Sequence, residues 1–152
     1  MGDREERAQA SIEFLLIVGI ATMVLIPAMY FFFIYSEKSQ ETTRINQIEK
    51  LGTDIINKAE TVYYYSDPSK MELVETMPDN VKGIGIVNDW GNNINLLIIN
   101  YSSRGKIQPI VFLSRVNING SFEARDFTVG RKVISIEAKR YNQYIYSNID
   151  FK

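Results

Sequence analysis

Glu13 is a lone carboxylate immediately before a 22-residue stretch (14–35) that contains no Asp, Glu, Lys or Arg. A charge carried into lipid costs about 2.5–3.5 kcal/mol for Asp at a helix centre on insertion scales, and intramembrane ionisable residues are functional by default. The chemistry open to Glu13 is therefore pairing with an opposite charge. Pro27 lies inside the same stretch. Proline removes a helical hydrogen bond and crowds the preceding turn, at about 3 kcal/mol or more in a helix interior. A kink or a locally unwound segment is the expected result. Asn100-Tyr101-Ser102 and Asn119-Gly120-Ser121 are sequons, and they make Asn100 and Asn119 candidate N-glycosylation acceptors. Asp89, Asp126 and Asp150 are scattered, without metal-ligand spacing. Gly83-Ile84-Gly85 lacks the third glycine of a phosphate-binding loop and sits in a strand-like segment. The chain has no cysteine and no histidine. That removes disulfides, thiolate chemistry, the commonest general base and the commonest zinc ligand. No catalytic residue, cofactor or metal is expected.

These residues are positioned first by the apolar run itself. The bilayer core needs about 20 helical residues. Apolar side chains here face every direction, so no helix face is left for water. Only 117 residues follow position 35, too few to bury such a helix. A membrane span results, with Tyr30, Tyr35 and the triplet Phe31-Phe32-Phe33 toward the interface at its far end. The segment after Tyr35 offers no small-residue cleavage site of the ordinary secretory kind, so the span is expected to be retained, with the N-terminus in the cytoplasm and the remainder outside. The net charge of −1 gives no attraction to nucleic acid.

Helical patterning continues past the span. Ile45, Ile48, Leu51, Ile55, Ala59 and Val62 form one apolar stripe, and the stop lies at Ser66-Asp67-Pro68. Gly52 is the weak residue of this helix. The rest reads as strands: 71–76, 81–88, 94–101, a long one over 107–118 with Pro109 marking an edge or a bulge, and a final hairpin of 133–138 and 144–149. Turns are expected at 78–80, 88–93, 102–106 and Asn119-Gly120. The sequons then fall at strand ends or turns. The fold class is α+β: a long N-terminal helix whose second half covers an antiparallel sheet. A small free-standing sandwich is the alternative for the head.

Arg7-Ala8-Gln9-Ala10-Ser11-Ile12-Glu13-Phe14 resembles the processing motif of archaeal type IV pilins with a class III signal peptide. The resemblance covers about eight residues beside the apolar run, and elsewhere only the layout of leader, long helix and β-rich head. It implies a prepilin, cut by a prepilin peptidase between Ala8 and Gln9, with Arg7 as the preceding basic residue. Gly is commoner than Ala before the cut. The implied regions are a leader (1–8), a transmembrane and filament-core helix (9–35), an amphipathic continuation (36–66) and an extracellular head (67–152). Glu13 becomes the fifth mature residue, about 6 Å along the helix from the new amino terminus. It could meet the amino terminus of a neighbouring subunit within an apolar core. Pro27 would let the helix bend between membrane and fibre. The implied partners are membrane lipid before assembly and other pilin subunits, alike or different, afterwards. The product is a cell-surface filament for adhesion or attachment. The other reading open to these residues is a monomeric, membrane-anchored extracellular β-rich binding domain that keeps its leader.

Overall fold

A computed structural model describes residues 2–89, 94–103, 105–141 and 144–152, with side chains from Ser11 onward. It falls into two compact units, Met1–Thr42 and Thr43–Lys152. One helix, α1 (Gly2–Tyr65), contributes to both. Seven strands follow: β1 (Lys70–Met77), β2 (Val81–Asp89), β3 (Ile94–Ser103), β4 (Lys106–Ser114), β5 (Ile118–Gly120), β6 (Gly130–Tyr141) and β7 (Tyr144–Phe151), with a short 3-10 turn at Ala124–Phe127.

In the first unit, the described side chains of α1 from Ser11 to Tyr35 are exposed throughout. No unwound stretch occurs at Pro27; the backbone stays α-helical across it. Thr22 Oγ1 donates to the Val18 carbonyl one turn earlier, at 2.8 Å.

The second unit owns the core. Ile48, Leu51, Ile55, Ala59 and Val62 of the predicted stripe are buried, and Ile45 packs against them. Complete burial of each such aliphatic side chain contributes about 1.5–3 kcal/mol. α1 stops at Tyr65, and Ser66 takes a left-handed φ of 66°, the usual way a helix is turned out of its axis.

The sheet arrangement differs from the single antiparallel sheet expected. There are two sheets, β1-β6-β7-β5 and β2-β3-β4. Every pairing is antiparallel except β5 with β7, which is parallel. The rows facing α1 interlock across strands: Met71 opposite Ile136 opposite Ile149, and Leu73 opposite Ile134 opposite Phe151. From the other sheet come Ile84, Leu97, Ile99 and Tyr101. Polar ties add to this packing between the helix and its cover. Ser147 Oγ donates to the Ala59 carbonyl at 2.7 Å, the Arg115 amide to Glu60 Oε1 at 3.1 Å, and Lys50 Nζ to Glu75 Oε1 at 2.6 Å.

The long strand expected over 107–118 is broken, and Asn119-Gly120 is not a turn. Ser114 Oγ donates to the Val116 carbonyl and accepts from the Val116 amide, at 2.8 and 3.2 Å. That local loop competes with the ladder. The Arg115 amide is taken by Glu60 on the helix. The chain thus leaves the β2-β3-β4 sheet and re-enters the β1-β6-β7-β5 sheet as β5, where the Ser147 amide donates to the Asn117 carbonyl at 2.9 Å. Pro109 lies on an edge strand without a bulge, where a missing donor is tolerated.

Candidate functional site

Two regions carry the residues singled out by their chemistry. The first is the start of α1. Arg7, Ala8 and Gln9 belong to the helical backbone, while their side chains lie outside those described. Glu13 is exposed, and Ile12 and Phe14 on either side are about two-thirds exposed. Gln9 and Glu13 are four residues apart on the one helix, about 6 Å along its axis.

From Glu13 to Tyr35 every described side chain of α1 is exposed. Leu15, Leu16, Ile17, Ile20, Met23 and Val24 are exposed, and the most apolar 18-residue window is entirely unburied. A buried core helix is apolar all round because protein surrounds it; this one is apolar all round with its described side chains exposed. Its length and composition suffice to cross a membrane. At its far end Tyr30 with Phe31 and Phe32 with Phe33 meet edge to face, at centroid distances of 5.9 and 6.1 Å. What this element can do chemically is bury its surface in lipid or against other apolar helices, with one carboxylate at its mouth.

The second region is the head surface, where the two sequons part company. Asn119 is exposed on β5, its Oδ1 accepting from the Gly120 amide at 2.9 Å. Gly120 has no room for a side chain, since a Cβ there would lie 2.6 Å from the Ile149 carbonyl oxygen. Asn100, expected at a strand end, is instead within β3, the middle strand of its sheet. It is partly buried between Gly83 and Pro109 at its register positions. Gly83 and Gly85 lie in β2, so the Gly-Ile-Gly segment is strand and not a loop.

Asp126 is buried and accepts the Glu123 amide through Oδ2 at 2.7 Å, so it serves the 3-10 turn. Among the described residues no three acidic side chains converge on a common point. A groove between α1 and β4 is lined by Thr53, Asn57, Glu60, Phe112 and Arg115; it is open, and its acidic member is already engaged by the Arg115 amide.

A feature the sequence reading missed is the outer face of the β2-β3-β4 sheet. Val87, Ile94, Ile107, Val111 and Leu113 are all exposed and stand in register across the three strands. The signal was alternation: both alternating sets of β3 and β4 are apolar, which is the pattern of strands covered on two faces. Comparison with protein-family models, with curated proteins and with solved structures returns no match to this chain.

Proposed function

We propose that the chain is a structural, non-enzymatic pilin-like subunit, cut by a prepilin peptidase between Ala8 and Gln9, held in the membrane by α1 and then assembled through it into a surface filament. The observation that carries this reading is an apolar helix segment exposed on all sides, with Glu13 at its mouth, joined to a head whose core is complete without it. A helix that serves only as an anchor needs no carboxylate at this position. One that must dock beside a neighbour's new amino group does. The head then forms the fibre surface and serves adhesion or attachment. Asn119 is the sequon with the exposed acceptor, and a glycan is assigned there.

Mass spectrometry of the protein from its native membrane tests the cut. Loss of residues 1–8 is expected, and a chain retaining Met1 or Gly2 in peptidase-competent cells would overturn the reading. Peptide mapping of the same sample locates any glycan.

One observation favours the second reading, an anchored extracellular domain that keeps its leader. The α1 backbone is helical through residues 7–9, and a peptidase acts on extended backbone. The first turns of a helix open at little cost, so cleavage requires only local fraying. The mass measurement separates the two readings.

A further inference from the structure

Asn119 is the one asparagine of this chain that glycine follows. The pair reads as a turn, but the fold makes it part of a strand, β5, at the edge of its sheet. We infer that Asn119-Gly120 is a site of self-modification, at which the Gly120 backbone nitrogen closes on the Asn119 side chain and expels ammonia. The carboxamide carbon Cγ is the electrophile, and water completes the reaction. Glycine is required here for two reasons. A side chain at position 120 would shield the nitrogen from Cγ, as that of the β-branched Ile118 does after Asn117. Packing also forbids one: a Cβ at Gly120 would lie 2.6 Å from the Ile149 carbonyl oxygen and 3.0 Å from the Phe122 ring. The fold thus keeps in place the residue that makes Asn119 labile.

The backbone leaves that nitrogen outside the ladder. β5 pairs in parallel with β7, with Ile118 opposite Ser147 and Gly120 opposite Ile149. Bonds to a parallel neighbour come from alternate residues of a strand. The Asn117 carbonyl takes the Ser147 amide, and the Ile118 carbonyl points the other way, to Asn88 Nδ2 at 2.8 Å. The Gly120 amide therefore faces away from β7. It donates to Asn119 Oδ1 at 2.9 Å, and Cγ is the atom to which that oxygen is bonded. Asn119 itself is exposed, so water and base reach it. β5 is three residues long and lies at the end of its sheet, so the backbone rotation that closes the ring gives up little.

The atoms balance with water alone. The Gly120 nitrogen loses its proton as it bonds to Cγ, the Cγ–Nδ2 bond breaks, and Nδ2 leaves as ammonia carrying that proton. The product is a five-membered succinimide. Water then opens it at Cγ, giving aspartate, or at the main-chain carbonyl carbon, giving isoaspartate. Either product adds a negative charge to an exposed strand. Isoaspartate also lengthens the main chain by a carbon beside Gly120, where Ile149, Phe122 and Ile86 leave no slack. It therefore loosens β5 and the Phe122 ring, which packs edge to face on Phe151 at a centroid distance of 5.7 Å. Ser121 makes the same asparagine a sequon, and a glycan would sit on Nδ2, the nitrogen that must leave. Glycan and ring closure thus compete for Asn119. The inference rests on the Asn119-Gly120 geometry and not on the cut at Ala8–Gln9 or on a filament.

The test uses the full chain, produced in a host that adds no glycan and kept folded in detergent micelles at mildly alkaline pH. Circular dichroism alongside checks that it stays folded. Peptide mapping with isoaspartate detection follows each asparagine over weeks. Asn119 is expected to convert at least ~10-fold faster than Asn117, whose next residue is β-branched, and to yield both aspartate and isoaspartate. The rate should rise with pH, because the attacking nitrogen must shed its proton. Asn119→Gln lengthens the side chain by a carbon and should stop the reaction. The same chain in denaturant gives the rate without β5. Asn119 intact in the folded chain while it converts in denaturant would mean that β5 protects it, and would overturn the inference. So would equal rates at Asn117 and Asn119, or a rate that ignores pH.

Discussion

Glu13 and Gly52 are the residues whose replacement tests most. If Glu13 pairs with the amino group of a neighbouring Gln9, Glu13→Gln keeps the shape, removes the charge and leaves an ammonium unpaired. Breaking one side of a buried pair costs about 3–5 kcal/mol, more than a hundredfold per added subunit at about 1.4 kcal/mol per decade. Subunits carrying Glu13→Gln are expected to be cut and inserted normally but to form no filaments. Electron microscopy reads this, and filaments of normal number and length refute the pairing. Gly52 looks like a flaw in a helix, since alanine is favoured there by about 1 kcal/mol. The fold explains it: a Cβ at this position would lie 2.2–2.7 Å from three ring atoms of Phe112 on β4. Overpacking of this kind costs about 1–3 kcal/mol, so it outweighs propensity. Gly52→Ala should lower the stability of the head, read from its denaturant midpoint, by up to a net ~2 kcal/mol. In a Phe112→Leu background the same change should become neutral or stabilising. An equal loss in both backgrounds would sink the ring-on-glycine account.

At the scale of elements, exposed ion pairs join Lys152 to β1 and β1 to α1. Lys152 donates to Glu72, a bond that holds the Glu72 carboxyl below the usual range, with the charges of Lys152 and Lys70 adding to it. A carboxyl lowered on folding stabilises the protein at higher pH, and this contribution is lost as pH falls through its folded value. Lys50 is raised by hydrogen bonds from its ammonium to Glu75 and Asp54. A raised ammonium stabilises at lower pH, and its contribution disappears as pH rises through its folded value. Head stability should therefore be level at mid pH and fall at both extremes. Both groups are solvent-exposed, so the effects are small and weaken in salt. Denaturant midpoints across pH, at low and high ionic strength, check this. Lys152→Met should flatten the acid limb alone.

For the whole molecule, the division of labour predicts independent behaviour of the two units. Every member of the hydrophobic core lies between Ile45 and Phe151, so residues 36–152 should fold without the apolar segment. Deleting residues 1–35 is expected to yield a soluble, monomeric head, with helix and sheet by circular dichroism. An unfolded product would show that the stripe of α1 cannot hold the sheets unaided.

The sequence by itself determined the elements whose signal is local. A 22-residue uncharged run has to find an apolar environment whatever follows it. The Ile48 to Val62 stripe has helical period and one buried face, and six of the seven observed strands begin within three residues of where alternation and turn residues placed a strand. Only tertiary structure decided how the strands divide. The segment after Ser114 has strand propensity throughout, yet Ser114 Oγ and Glu60 capture the ladder groups at Val116 and Arg115, and that sends β5 to the other sheet. The same long-range choice moved Asn100 from a strand end to a sheet centre and put Phe112 over Gly52. It also left one sheet with an apolar face on each side, one of them uncovered. No short window of the sequence contains the contacts that decide these outcomes, which join residues 55 or more positions apart: Gly52 with Phe112, Glu60 with Arg115, Ala59 with Ser147.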